Sequence, residues 1–299
     1  MSFAKKIYWI IPAAQRRKLE NLFKYSIRTN LTNRIINYYE QDKSKLTPEI
    51  QEVTTYLKTN WIRMIPYEFM KEYQEVQVEV LLDENCKLPY VIHNKHKMFF
   101  KRSMNKAQVT KNYRSLLSEL DPRSPHKYLS KTFFANEGDV IIDVGAAEGI
   151  FALNEIEKAK KIYLIESNKE WVEALYQTFE PWKDKIEIIE KLASDSTTQD
   201  TIALDDIYNE SLTVNFIKMD VEGYERKVVA GCKKILSNEK NIKLDICTYH
   251  KQGDGDYFVQ LLSEIGFKIE FSYGYMLSMD FADTEEPYLR RGVIRAQKI

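Results

Sequence analysis

The segment Val140-Ile-Ile-Asp-Val-Gly-Ala-Ala-Glu-Gly149 decides the fold, because an apolar run passes directly into a turn of small residues. The run 140–144 has the length and composition of a buried strand. The small residues after it let the chain reverse tightly and let backbone amides approach a ligand. A helical pattern begins at Ile150, so the segment is predicted to form a strand, a turn and a helix.

Similar apolar runs recur through the rest of the chain. Besides 140–144, the predicted strands are 162–165, 186–189, 214–217, 242–247, 267–271 and 292–294. The predicted helices between them are 150–160, 168–180, 223–237 and 254–265. Strands that alternate with helices predict an α/β fold with a doubly wound, Rossmann-like parallel sheet. We assign this domain to residues 130–299.

Residues 1–129, the N-terminal region, have a different pattern. Apolar residues three and four apart predict helices over about 3–60, and the apolar run 7–11 could alternatively lie on a membrane surface. Alternation at 76–80 and apolar runs at 90–92 and 98–100 predict a small antiparallel sheet. A helix is predicted at 106–120.

Composition excludes several classes of protein. The 299 residues include 44 Lys plus Arg and 44 Asp plus Glu, and zero net charge argues against a general nucleic-acid coat. The three cysteines form no CxxC pair, which argues against a disulfide scaffold and indicates a reducing compartment. No apolar stretch approaches the roughly 18–20 residues that cross a bilayer. We therefore expect a cytoplasmic protein without a transmembrane segment.

The charges are unevenly distributed. Residues 1–120 carry 21 basic and 12 acidic side chains, and the stretch 85–118 carries eight basic side chains and no acid. This stretch is a solvated face, a surface that docks onto the acidic half, or a surface that attracts an anionic substrate such as a sugar phosphate. The sequence leaves these interpretations open.

The strand ends predict a cofactor site. Glu166 ends the second strand 21 residues after Gly145, where a doubly wound fold places the carboxylate that binds ribose hydroxyls. The turn has the form GxAxG instead of the GxGxxG that cradles a pyrophosphate. A cofactor with a ribose and no phosphates fits better, and S-adenosylmethionine (SAM) is the common one. The predicted contacts are Asp143, Gly145, Ala146, Ala147, Glu148, Gly149, Glu166 and Ser167.

Two further segments follow later strands. Lys218-Met-Asp-Val-Glu-Gly-Tyr-Glu225 follows the fourth strand, and Cys247-Thr-Tyr-His-Lys251 follows the fifth. The carboxyl ends of parallel strands share one edge of a sheet, where ligands bind. Asp220, Glu222 and His250 are therefore predicted to lie together, with Asp220 also close to the cofactor. Glu225 is interpreted only as a partner of a helix dipole.

The three segments together resemble the FkbM family of SAM-dependent methyltransferases over about residues 120–299, and the block KxDxEGxE at 218–225 is the most specific part. The stretch 204–206 resembles the LDD element of that family, and the resemblance implies that Asp195 contacts adenine. It also suggests that the stretch 124–128 faces the acceptor. Ala147 departs from the family pattern by one methyl group, which we expect to be tolerated.

The resemblance implies methylation of hydroxyl groups on a sugar, glycan or related small molecule. If the basic stretch attracts this acceptor, the acceptor is anionic. A hydroxyl becomes a good nucleophile only when its proton is removed, and a positioned base contributes about 10²–10⁴-fold. His250 is the predicted base, with Asp220 or Glu222 orienting its ring or the acceptor. These three residues could instead hold Mg²⁺ or Ca²⁺, which we do not favour. The N-terminal region is expected to recognise the acceptor or to mediate assembly into a homo-oligomer.

Three rival functions remain. A nicotinamide-dependent oxidoreductase would use Glu166 equally well, but GxGxxG is missing. A non-enzymatic glycan- or partner-binding protein could have the same fold, although the retained acids and His250 argue against it. A nucleic-acid methyltransferase would suit the basic stretch, but no NPPY-type signature of base flipping is present.

Overall fold

The computed structural model describes residues 13–208, 213–278 and 284–298, so the apolar run 7–11 lies outside the described residues. Two helices open the described chain, α1 (Ala13–Glu40) and α2 (Pro48–Thr59). Helix α2 begins with an N-cap, because the Thr47 side chain accepts a hydrogen bond from the Ile50 amide and a proline occupies the first helical position.

A small antiparallel sheet follows, formed by β1 (Leu81–Leu82), β2 (Pro89–His93) and β3 (His96–Phe99) in that order. The strand predicted at 76–80 is wrong, because this extended segment pairs with no strand. Instead, the Arg114 side chain donates to the carbonyl of Val76. Arg114 belongs to the next helix, α3 (Lys106–Glu119), which begins with a capping box between Asn105 and Gln108.

The remaining elements alternate between strand and helix, with two short additional strand pairs. They are β4 (Val140–Val144), α4 (Ile150–Glu155), β5 (Lys161–Ile165), α5 (Lys169–Thr178), β6 (Ile186–Ile189), β7 (Leu192–Ala193), β8 (Thr201–Ile202), β9 (Phe216–Met219), α6 (Glu225–Ala230), α7 (Lys233–Asn238), β10 (Ile242–Cys247), α8 (Asp254–Glu264), β11 (Lys268–Phe271), β12 (Tyr275–Leu277), β13 (Leu289–Arg291) and β14 (Val293–Lys298). The helix predicted at 223–237 is therefore two helices, separated by Gly231 and Cys232.

Seven of these strands form the central sheet in the order β11-β14-β10-β9-β4-β5-β6. Strands β4, β5, β6, β9 and β10 run parallel, and β14 lies antiparallel between β10 and β11. The doubly wound α/β fold is confirmed, with one antiparallel strand in place of a wholly parallel sheet. The strand order reverses between β4 and β9, so a ligand crevice is expected at the carboxyl ends of these two strands.

The sheet has a buried apolar cluster on each face. One cluster, which includes Ile142 and Phe258, packs β4, β9 and β10 against α6, α7 and α8. The other joins Phe151 and Phe216 to residues of the N-terminal region, among them Ile35 and Phe100. The N-terminal region therefore shares its core with the sheet, and a domain boundary at residue 130 stays a prediction. Within the described residues, no helix has the length and apolarity needed to span a membrane.

Candidate cofactor and acceptor site

A cavity of about 750 Å³ opens at the carboxyl ends of β4, β5 and β9. Seven of the predicted cofactor residues line it: Gly145, Ala146, Ala147, Glu148, Glu166, Ser167 and Asp220. Asp143, Gly149 and Asp195 do not. Of the three predicted catalytic residues, Asp220 and Glu222 line the cavity, whereas His250 lies directly behind Asp220. The sequence therefore predicted the correct edge of the sheet for the site. Several residues, however, have a different role in the structure from the predicted one.

The glycine turn is shaped by close approach of the two central strands. Gly145 has φ +73°, and a Cβ atom there would lie 1.9 Å from the backbone oxygen of Asp220. Only glycine fits this contact, since both its conformation and its neighbour exclude a side chain. Ala147 also has a positive φ of 45°, a conformation that costs a non-glycine residue about 1–2 kcal/mol. The Ala147 amide donates to the Glu166 carboxylate at 2.9 Å, which helps to hold this turn.

Glu166 joins the turn to the next helix. One carboxylate oxygen accepts the Ala147 amide, and the other accepts the Asn168 amide at 2.7 Å. Each carboxylate oxygen has a second lone pair, so both can still accept a hydrogen bond from a ribose hydroxyl. Asp195 is placed less favourably: its nearest polar contacts are hydroxyls of adjacent serines, and Leu192 and Ala193 line the cavity instead. The adenine contact of Asp195 stays a prediction.

Asp143 supports the glycine turn through a buried ion pair. Its side chain is fully buried and lies 2.9 Å from Nζ of Lys218, the residue beside it on β9. Lys218 also donates to the carbonyl of Gly145 at 2.8 Å. Burial raises the pKa of Asp143, although the adjacent ammonium opposes this shift. The pair fixes the turn against β9, so Asp143 acts through Lys218 and does not line the cavity.

Asp220 is the point where three parts of the chain converge. Its Oδ2 accepts the Tyr128 hydroxyl at 2.7 Å and lies 3.4 Å from Nε2 of His126. Its Oδ1 lies 3.5 Å from Nε2 of His250. Burial would raise the pKa of Asp220, but His126, Lys218 and His250 outweigh it and hold that pKa far below its usual range. Asp220 is therefore a carboxylate that faces the cavity.

Glu225 has a larger role than the sequence suggested. It is fully buried, and its Oε1 accepts the amides of Val221 and Gly223 and lies 2.7 Å from Nδ1 of His250. The interpretation as a helix-dipole partner alone is therefore wrong. Glu225 orients the His250 ring, a role predicted for Asp220 or Glu222. The sequence signal that could have indicated this role is the position of Glu225 as the last acid of the block at 218–225.

The Nε2 side of the His250 ring is less constrained than its Nδ1 side. Its Nε2 is buried without a hydrogen-bond partner, 3.6 Å from Oε2 of Glu222. The Glu222 side chain is 89% exposed, and its backbone has φ +53°. Burial lowers the pKa of His250, but the hydrogen bond to Glu225 and the nearby carboxylates outweigh this, so the pKa is raised.

The N-terminal region forms one wall of the cavity. From α3 it contributes Asn112, Ser115, Leu116 and Glu119, and from the stretch 124–128 it contributes His126 and Tyr128. His126 is buried, with Nδ1 3.9 Å from Oε2 of Glu119 and Nε2 facing Asp220. The expectation that this stretch faces the acceptor agrees with its place on the cavity wall, whereas no sequence signal singled out His126 or α3.

Two groups of side chains in the described part of the chain have metal-ligand atoms close together. They are His126, Asp220 and Cys247, and Asp220, Glu225 and His250, each within 4.8 Å. In the second group the imidazole separates the two carboxylates, because Nδ1 faces Glu225 and Nε2 faces Asp220. One ring cannot present both nitrogens to one ion, so this set fits an imidazole held between acids better than a metal ion.

The order of the sheet, its single antiparallel strand and the glycine turn after the first strand define a class I methyltransferase fold. Within this class, residues 181–277 match the family model described as "Methyltransferase FkbM domain", and the resemblance to the FkbM family is confirmed. The match spans about a third of the chain. It contains the blocks at 218–225 and 247–251 but not the glycine turn.

Solved structures show more distant likeness. The methyltransferase FkbM from Methylobacillus flagellatus KT is 19% identical, with 65% of this chain and 55% of that chain covered and a TM-score of 0.45. The present chain thus spans about half of that protein's length. A Streptococcus mutans protein solved in complex with SAH is 13% identical over 55% of this chain and 90% of that one, with a TM-score of 0.40. No curated protein matches the chain.

Proposed function

We propose that this protein transfers the methyl group of SAM to a hydroxyl oxygen of a sugar, glycan or related small molecule, with His250 as the general base. The family match and the position of Glu166 at the cavity support the cofactor. The observation that carries the proposal is the orientation of His250 by a buried carboxylate that already binds two backbone amides. An imidazole oriented in this way is suited to act as a general base. A protein that only binds a glycan has no need of such a base.

The hydrogen bonds of Glu225 fix the tautomer of His250. Oε1 of Glu225 already accepts two backbone amides and therefore acts as an acceptor, so the His250 Nδ1 that faces it carries a hydrogen. The neutral ring then keeps its lone pair on Nε2, on the side of Asp220. An acceptor hydroxyl beside Asp220 can reach Nε2 directly or through one water, since catalytic hydrogen bonds often tighten only when substrates bind.

The chain's own residues would supply three functions. When bound, SAM supplies an electrophilic methyl group on a sulfonium sulfur. Glu166 and the glycine turn would hold its ribose and methionine parts, and Asp220 would position the acceptor hydroxyl. His250 takes the hydroxyl proton on Nε2 while the new C–O bond forms and the C–S bond breaks. Alignment of the reacting atoms supplies the rest of the acceleration.

His126 is the rival base, because it lines the cavity and His250 does not. Its pKa is also raised, since Asp220 and Glu119 outweigh the effect of burial. However, no buried carboxylate bonded to the backbone sets its tautomer, and the Tyr249 hydroxyl lies 3.3 Å from its Nε2. A comparison of the His126→Asn and His250→Asn variants separates the two roles, because the larger loss of turnover marks the base.

Cofactor binding tests the proposal first. We expect isothermal titration calorimetry to show that SAM and SAH bind and that NAD⁺ does not. The Glu166→Gln variant should bind SAH at least tenfold more weakly, because a hydrogen bond to a charged group contributes about 1.5–3 kcal/mol. Glu180→Gln, at an exposed acid outside the cavity, is the matched control. A folded protein that binds neither SAM nor SAH would contradict the proposal and favour the non-enzymatic alternative.

The protonation of His250 is a second prediction. We expect NMR titration of the imidazole signals to give His250 a pKa above the usual value for a histidine, with the assignment made from the His250→Asn spectrum. The Glu225→Gln variant should lower this pKa, because it removes a negative charge that stabilises the imidazolium. Since the base acts in its neutral form, the rate should rise with pH through the same pKa. An unchanged pKa in Glu225→Gln would show that this carboxylate does not govern the ring.

A further inference from the structure

We propose that the acceptor is a hydroxyl compound with a cationic, hydrogen-bond-donating substituent, such as the ammonium group of an amino sugar, and that the site disfavours anionic acceptors. This inference rests on the proposed function and narrows its substrate class. It concerns the acceptor end of the cavity, which we define by Asn112, Glu119, His126, Asp220 and Glu222.

The acceptor end is rich in negative charge. Glu119, Asp220 and Glu222 line it, and Glu225 lies behind them against His250. Even with both His126 and His250 protonated, these four carboxylates face two positive charges. The charge that remains is negative, and it is larger whenever either histidine is neutral. Like charges in a partly desolvated site repel, so an anionic substituent would bind weakly here.

The basic residues of the cavity are engaged elsewhere. Lys218 is paired with Asp143 and with the carbonyl of Gly145. Lys101 lies over the ring of Trp171 at 4.5 Å, and Lys191 donates to the carbonyl of Thr198. Within the described residues, these three are the lysines that line the cavity, and no arginine does. The acceptor end, as defined above, therefore contains no lysine or arginine that could bind a phosphate or carboxylate.

Two buried polar atoms at this end lack a partner. The Asn112 side chain donates to Glu148 at 2.7 Å, which leaves its Oδ1 buried without a hydrogen bond. Nδ1 of the buried His126 is also unpartnered, 3.9 Å from the Glu119 carboxylate. A buried polar group without a partner is costly, so these atoms are suited to a ligand. The amide oxygen of Asn112 and the Glu119 carboxylate beside His126 require a donor, which an ammonium or hydroxyl group provides, whereas Nδ1 of His126 donates or accepts according to its protonation.

The basic stretch 85–118 is partly neutralised by acids on the surface. Lys97 pairs with Asp83 at 2.8 Å, and Arg102 pairs with Glu173. Neither Lys97 nor Arg102 lines the cavity, whereas Lys101 of the same stretch lines it over the ring of Trp171. The contacts of Lys97 and Arg102 fit a solvated, partly neutralised face better than an anion-binding surface.

Binding of three matched hexoses tests the inference without a known acceptor. The protein is first titrated with SAH, and then glucosamine, glucose and glucuronate are added to the SAH complex and followed by saturation-transfer NMR. We expect glucosamine to bind at least fivefold more tightly than glucose, and glucuronate to bind most weakly. Glu119→Gln, which keeps the shape of the side chain and removes its charge, should reduce this preference about fivefold. Glu84→Gln, at an exposed turn outside the cavity, should leave it unchanged.

The possible results separate the two proposals. If SAH fails to bind to the folded protein, the proposed function itself fails. If SAH binds, the inference is overturned by glucuronate that binds as tightly as glucosamine, by no glucosamine binding up to 50 mM, or by a preference that Glu119→Gln leaves intact. A preference for glucosamine that Glu119→Gln weakens and Glu84→Gln preserves would support it.

Discussion

Replacing His250 by asparagine is expected to lower kcat at least 100-fold while SAH affinity stays within about twofold of the wild-type value. The reason is that a positioned base contributes about 10²–10⁴-fold, whereas His250 does not line the cavity that would hold the cofactor. The measurement is methyl transfer from radiolabelled SAM at saturating concentrations of both substrates, together with calorimetry of SAH binding.

A matched control is available on the small sheet. His96 contacts Trp182 and Glu157, away from the cavity, so His96→Asn should leave kcat within twofold. Glu225→Gln should lower kcat and shift the pH at which the rate rises, because it removes the negative charge that stabilises the imidazolium and so weakens the base. Turnover that survives in His250→Asn would remove His250 from its role. If His126→Asn instead abolishes turnover, that residue is the base.

Replacing Lys218 by methionine is expected to lower the free energy of unfolding by about 3–5 kcal/mol, since it leaves a buried charge without its partner. Asp143 is completely buried, and Lys218 is its ion-pair partner at 2.9 Å. Loss of the ammonium also frees the Gly145 carbonyl that it binds. Urea denaturation followed by circular dichroism at constant pH gives the change directly.

Two further variants test whether the loss comes from the buried pair. The double variant Asp143→Asn with Lys218→Met should recover a large part of the stability, because it removes both charges together. Lys97→Met breaks a pair with Asp83 that is exposed on the lysine side, and should change the free energy of unfolding by at most about 1 kcal/mol. A Lys218→Met effect no larger than that of Lys97→Met would show that the buried pair contributes little.

The sequence predicted the parts of the fold that depend on local pattern. The strands at 140–144, 186–189 and 242–247 have the bounds of β4, β6 and β10. The direction of β14 could not be predicted, because an apolar run has the same period whether its strand is parallel or antiparallel. The strand predicted at 76–80 failed for a related reason: alternation indicates one buried face, but a side chain of α3 holds this segment instead of a neighbouring strand.

The site was predictable where its residues follow strands, and it was missed where distant segments meet. Asp220 comes directly after β9 and His250 comes three residues after the end of β10, so their proximity follows from the parallel sheet. Tyr128 bonds Asp220 across 92 residues of sequence, and such a contact has no local signal. Glu225 was undervalued because its position in a first helical turn already had an explanation. Its contact with His250 depends on how the first turn of α6 packs against the loop after β10.

The two ends of the cavity are built from separate parts of the sequence, because α3 forms the wall of one end. The turn after β4 and the end of β5 would hold the cofactor, whereas Asn112, Ser115 and Glu119 face the acceptor end from a helix earlier in the chain. On the proposed function, substitutions at Ser115 and Glu119 would alter which acceptor is chosen, whereas Asn112 also donates to Glu148 in the turn after β4. A library restricted to the codons of Ser115 and Glu119 would explore new acceptors while the methyl donor stays the same.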